Sequence, residues 1–118
     1  MSQQISWYVE LQVKPGQMDA FRALTSEMVE GTKSERGTLI YERFIGDDEA
    51  VHVFERYSDS AAAVTHLRMF ADMYGKRFAA LVDRKRFAVF GTPTPELRQI
   101  LDPLGARYFV PLDGFARG

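Results

Sequence analysis

The stretch VHVFERYSDSAAAVTH, residues 51 to 66, reads as a strand that turns directly into a helix, and it decides the fold. Side chains alternate along a strand, so Val51, Val53, Glu55 and Tyr57 share one face and His52, Phe54 and Arg56 the other. Ser58, Asp59 and Ser60 then offer three successive caps, whose oxygens can accept from the orphan N–H groups of a new helix. Ala61 to Ala63 propagate that helix and place His66 on its second turn. Tyr57 at the strand end and His66 on the helix are therefore the polar aromatics best placed to reach any gap between sheet and helices.

Working outward, Ile5 to Val13 alternates cleanly, with Ile5, Trp7, Val9, Leu11 and Val13 opposite Ser6, Tyr8, Glu10 and Gln12, as a half-buried strand does. Lys14-Pro15-Gly16 ends it, and Pro15 is placed to open a helix because its missing N–H is one of the orphans there. Met18, Phe21, Leu24 and Met28 form an amphipathic stripe that predicts a helix to about Ser34, with Gly37 turning the chain back. Thr38 to Ile45 is rich in β-formers, with Leu39, Tyr41 and Arg43 on one face and Ile40, Glu42 and Phe44 on the other. Gly46-Asp47-Asp48-Glu49 joins it by a polar hairpin to the strand Ala50 to Tyr57. The helix carrying His66 keeps its stripe to about Asp83, with a kink expected between Arg68 and Gly75. Arg84-Lys85-Arg86 would then complement the helix dipole, and Phe87 to Phe90 is a fourth strand. Beyond Gly91, Thr94-Pro95-Glu96 starts a short helix through Leu101, and Ala106 to Val110 reads as a short fifth strand before an apolar tail.

The order strand, helix, strand, strand, helix, strand is the α+β, ferredoxin-like split βαβ pattern: a four-stranded antiparallel sheet with both helices on one face. The opposite face carries Tyr8, Glu10 and Gln12 with either Val53 and Tyr57 or His52 and Phe54. Monomers rarely leave such apolar patches in water, so a homodimer is expected, with Phe109 to Phe115 as a strap onto the second subunit.

At 118 residues the chain is expected to be a single domain, with a core at 5–91 and an extension at 92–118. Its net charge of −1 gives no footprint for nucleic acid. With no cysteine, disulfides, thiolate metal sites and cysteine catalysis are excluded. MSQQISW has neither a charged leader nor an apolar core, no apolar run approaches the ~20 residues of a membrane span, and a cytoplasmic protein is the expectation.

Three stretches together, VELQVKPGQMDAFRAL (9–24), ERGTLIYERF (35–44) and VFERYSDSAAAVTHL (53–67), resemble the antibiotic biosynthesis monooxygenase family over roughly residues 5 to 90. The resemblance implies a dimeric α+β barrel. Some members oxygenate polycyclic quinols or anthrones with O₂ alone, while others degrade haem or handle other small molecules. Two departures stand out. Tyr57 occupies the place of a tryptophan usual in the family, and the chain has no asparagine, a residue that both the quinol-oxidising and haem-degrading members use.

His66 matches a histidine common in the family, and imidazole as a class accepts protons near neutral pH. As a base it would generate the electron-rich anion that passes an electron to O₂. Tyr57 would act beside it, Tyr41 would hydrogen-bond substrate oxygens, and Trp7, Phe70 and Tyr74 would stack on a planar ring. The same aromatics also serve as ordinary core, and His66 as a hydrogen-bonded structural residue. Glu55 reads as a salt-bridge partner of Arg43 and His52 as exposed or interfacial. The expectation is a cofactor-independent monooxygenase acting on a small quinol- or anthrone-like aromatic, with no metal or haem. The alternatives are an isomerase or haem-handling enzyme on the same scaffold, or a non-catalytic dimeric binding module.

Overall fold

Strand β1, Ile5–Val13, is the hub of the sheet, because its alternation lets it pair on both edges while one face stays dry. It pairs antiparallel with β3 (Ala50–Tyr57) on one side and with β4 (Val82–Phe90) on the other. β2 (Thr38–Ile45) completes the first edge, and β5 (Arg107–Phe109) adds in parallel to β4. The order is β2-β3-β1-β4-β5. The sheet is thus mixed and five-stranded, where the sequence suggested four antiparallel strands with a separate extension. The computed structural model describes residues 3–117; Met1 and Ser2 of the leader stretch read above, and Gly118, lie outside them.

Helices α1 (Met18–Thr32), α2 (Ser60–Met73), α3 (Gly75–Leu81) and α4 (Pro95–Leu101) supply the second layer. Asp59 is the cap chosen from the three offered: its carboxylate accepts from the Ala62 N–H at 2.8 Å. Gly37 turns the chain where it passes so close to α2 that a side-chain carbon there would meet Ala62 Cβ at 2.5 Å. Ile5, Trp7, Leu11, Val51, Tyr57, Val89, Leu97 and Leu101 are all essentially inaccessible and make one core. Burying a side chain of this size contributes about 1.5–3 kcal/mol each. Among the described residues, no helix is long and apolar enough to cross a membrane.

Three expectations are corrected. The helix carrying His66 does not continue to Asp83: it breaks at Tyr74, inside the expected window, and α3 stops at Leu81. Val82 already pairs with Val13, so Arg84, Lys85 and Arg86 lie on β4 and complement no helix dipole. Ladder bonds to β1, formed with a register shift between Glu10 and Leu11, outweigh a helical stripe that could have run on. Pro15 does not open α1 either. Pro15-Gly16 makes a turn, with Gly16 at φ +78° and the Gln17 N–H donating to Lys14 O at 3.1 Å, and the helix begins at Met18. That left-handed φ is what glycine supplies at no steric penalty.

The sheet's uncovered face is also settled. Val51, Val53, Glu55 and Tyr57 point toward the helices, while His52, Phe54 and Arg56 join Tyr8, Glu10 and Gln12 on the open side. Phe44, Phe90 and Phe109 flank that face as exposed apolar groups.

Candidate active site

Glu55 anchors the site. Its place on β3 puts it on the covered face, opposite Trp7 of β1 and Tyr41 of β2. A carboxylate taken out of water needs donors, and three converge on it. Trp7 Nε1–H donates to Oε1 at 2.8 Å, the Tyr57 hydroxyl donates to the same oxygen at 2.5 Å, and Arg43 Nη2 donates to Oε2 at 2.6 Å. Burial pushes the carboxyl pKa up, but the Arg43 charge, His66 and the hydrogen bonds from Tyr57 and Arg43 outweigh it. The net effect holds Glu55 below its ordinary value of 4.5, so it is an anion at neutral pH.

His66 stands beside it, buried to 2% exposure. Nδ1 is 2.8 Å from Glu35 Oε1. A carboxylate can only accept, so Nδ1 carries the proton. Nε2 makes no hydrogen bond among the described residues, and Glu55 Oε1 lies 3.9 Å from it. Glu35 sits in the turn after α1 and accepts a second bond from Thr38 Oγ1 at 3.0 Å. The arrangement is a carboxylate that fixes the ring's tautomer, with an unoccupied nitrogen on the opposite edge. An imidazolium formed there would lie between two carboxylates.

A pocket of about 580 Å³ opens against this cluster, lined by Trp7, Arg43, Glu55, His66 and Phe70 at the polar end. Its middle is apolar, with Val9, Leu11, Val53, Phe78, Val82 and Phe87. Ile100 and Leu104 from the C-terminal extension close one wall. A volume in this range, mostly apolar with few convergent polar groups, is the usual form of a small-molecule site.

Of the residues singled out from sequence, His66, Trp7 and Phe70 line the pocket. Tyr57 does not line it: it is fully buried behind the wall, its ring 4.7 Å from Trp7 and 5.3 Å from His66. Burial, then the neighbouring Glu55 charge, push its phenol pKa far above 10, so it remains a donor and never a base. Tyr41 also stands off the lining. Its ring meets His66 edge-on at 5.4 Å and lies 3.4 Å under the Arg43 guanidinium; burial raises its pKa to about 12. Tyr74 does not line the pocket: at the break between α2 and α3 it is buried against Leu24 and Met28 of α1, its ring 6.3 Å from that of Phe70.

Glu35 was missed as a site residue, and Glu55 and Arg43 were read only as the ion pair they do form. The signal for Glu35 was its place just before the obligatory glycine turn at Gly37. Among the described residues, no group of three or more His, Asp or Glu is arranged to hold a metal ion.

The model of the antibiotic biosynthesis monooxygenase family matches residues 5–82. Among solved structures, MupZ from Pseudomonas fluorescens superposes with a TM-score of 0.87 at 24% identity, over 98% of this chain and 96% of that one. SnoaB, a cofactor-independent oxygenase from Streptomyces nogalater, gives 0.66 at 11% identity over 79% and 96%. A conserved protein from Methanosarcina mazei gives 0.66 at 20% identity over 77% and 93%. At these identities the structural likeness speaks for the fold. No curated protein matches the chain.

Proposed function

This chain belongs to the antibiotic biosynthesis monooxygenase family, and from that premise we propose that it is a cofactor-independent monooxygenase of a small quinol- or anthrone-like aromatic. The observation that carries the proposal is the Glu35–His66 pair, whose histidine lines the polar end of a largely apolar pocket and keeps Nε2 without a hydrogen bond among the described residues. His66 Nε2 removes the acidic substrate proton, and Glu35 holds the ring and the charge that forms on it. Trp7 and Phe70 stack on the substrate ring, and the Arg43 guanidinium faces the oxygen on which the anion's charge rests. The anion passes an electron to O₂. For a methylene substrate, one oxygen atom becomes the new carbonyl and the other leaves as water with both methylene hydrogens. The likeness to SnoaB in fold supports this reading, as does the family.

We place Tyr57 as a positioning residue for Glu55 and Trp7, with Tyr41 steadying Arg43 and His66. The active unit is a homodimer built on the open sheet face, where Phe44 is 56% and Phe90 40% exposed; light scattering showing a monomer at micromolar concentration would remove that part.

The test is oxygen uptake with menadiol- and anthrone-like compounds. Uptake should fall by about 10²- to 10⁴-fold in His66→Ala, the usual worth of a general base, while the fold is kept. No uptake by the unaltered protein with any acidic quinol or anthrone sinks the oxygenase reading.

One observation favours a second reading, an isomerase-type proton transfer without O₂. The chain has no asparagine, and the ionised carboxylate of Glu55 stands 3.9 Å from Nε2. Exchange of the substrate's acidic hydrogen for deuterium under anaerobic conditions, with no product oxygenation in air, marks that case.

A further inference from the structure

The pocket has a second polar end that neither the acid–base pair nor the aromatic wall uses. Trp7 and Glu55 face each other across β1 and β3 at the His66 end. Leu11 lies four residues further along β1 and pairs with Arg84 of β4. At ~3.3 Å per strand residue, the backbone of Arg84 is about 13 Å further down the sheet. Lys76 lines the same pocket from α3, past His66 and Phe70 and beyond the break at Tyr74.

Both cations are exposed at this end, and the only carboxylate among the lining residues is Glu55, at the other. Arg84 donates one bond, from Nη1 to Leu104 O at 3.1 Å, and pairs with no acid among the described residues. Partial withdrawal from water lowers its pKa, and no carboxylate offsets this. Lys76 makes no ion pair among the described residues either, whereas Lys33, Arg43, Arg68 and Arg77 all do. Between the two ends the walls are Val9, Leu11, Phe78, Val82 and Phe87. Two unpaired cations at the mouth of an apolar channel are a complementary field for an anion.

We propose that the natural ligand is elongated: the aromatic ring that reaches His66 is joined through a mainly apolar stretch to an anionic head, a carboxylate or phosphate, held by Lys76 and Arg84. This deepens the reading of the pocket as a substrate site and rests on it. The C-terminal extension takes part, because Leu104 both lines the channel and fixes the Arg84 side chain.

The test is binding of decanoate, decyl phosphate and decanol, read by the fluorescence of Trp7, the chain's single tryptophan, which lines the pocket. At least one anion should bind about 10-fold more tightly than decanol, two partly exposed ion pairs each contributing a few-fold. A preference for decanoate identifies a carboxylate head, and a preference for decyl phosphate a phosphate head. The double variant Lys76→Gln, Arg84→Gln should level the three ligands while decanol binds as before, which also shows the fold intact. Equal binding of all three to the unaltered protein overturns the proposal. So does an anion preference that survives the double variant, or a Trp7 signal that none of the three moves. The readout needs no turnover. A protein that consumes oxygen without anion preference loses this proposal alone, and one that prefers anions but has no activity loses only the oxygenase reading.

Discussion

The two faces of the sheet carry the same local device and use it differently. On each, a tyrosine stands two residues from a glutamate along a strand, so both side chains point the same way. On the covered face Tyr57 donates to Glu55 at 2.5 Å, with Trp7 and Arg43 completing the shell. On the open face Tyr8 reaches Glu10 at a loose 3.3 Å and turns instead to His52, 2.5 Å away. Burial pushes Tyr57 far above its ordinary value, whereas at Tyr8 the same causes, burial first and then Glu10, act in the same direction on a solvated ring. Spacing creates the pair. The dielectric around it decides whether the pair is a fixed electrostatic element or a surface contact.

The largest expected break in this comparison is Glu55→Gln. It leaves the Arg43 guanidinium buried without its counter-charge, and breaking a buried pair in this way costs about 3–5 kcal/mol. Glu10→Gln on the open face should stay within about 0.5 kcal/mol. Chemical denaturation of the two variants measures both, and similar losses would show that burial does not separate the faces.

Acid gives the next largest contrast. Glu55 has a depressed pKa in the folded state, so its contribution to stability is complete above 4.5, the ordinary value, and is lost as pH falls below it. Denaturation midpoints followed downward from pH 6 should drop in that range for the natural protein. In Glu55→Gln this part of the drop should be missing.

Tyr57→Phe keeps the ring against Trp7 and removes one donor from a buried carboxylate, which should destabilise by about 1–3 kcal/mol. It should also slow any His66-dependent reaction less than His66→Ala does, since Tyr57 acts through Glu55. Tyr8→Phe should be the smallest effect, within about 0.5 kcal/mol in the isolated subunit. A larger loss for Tyr8→Phe at concentrations where the protein is dimeric would locate the subunit contact on the open face.

Much of the site was legible before any coordinates. The strand ending in Tyr57, a helix cap within Ser58 to Ser60 and the second-turn position of His66 follow from alternation, capping chemistry and helical spacing alone. Glu35 was not legible as His66's partner, because 31 residues separate them and only the fold of α2 over the turn at Gly37 joins them. Tyr74 was expected on the pocket wall because the helical stripe was carried through a kink of unspecified position and geometry, and the break falls at Tyr74 itself.

The sequence by itself determined which side chains share a face, where α2 and α4 are capped and where the chain must turn. These depend on neighbours within a few residues, and local geometry settles them. Tertiary structure alone decided which sheet face is dry, where α3 yields to β4, and that Glu35, Glu55, His66, Lys76 and Arg84 belong to one pocket or its wall. Those outcomes turn on ladder bonds and burial between segments tens of residues apart. Their energies exist only once the segments have met.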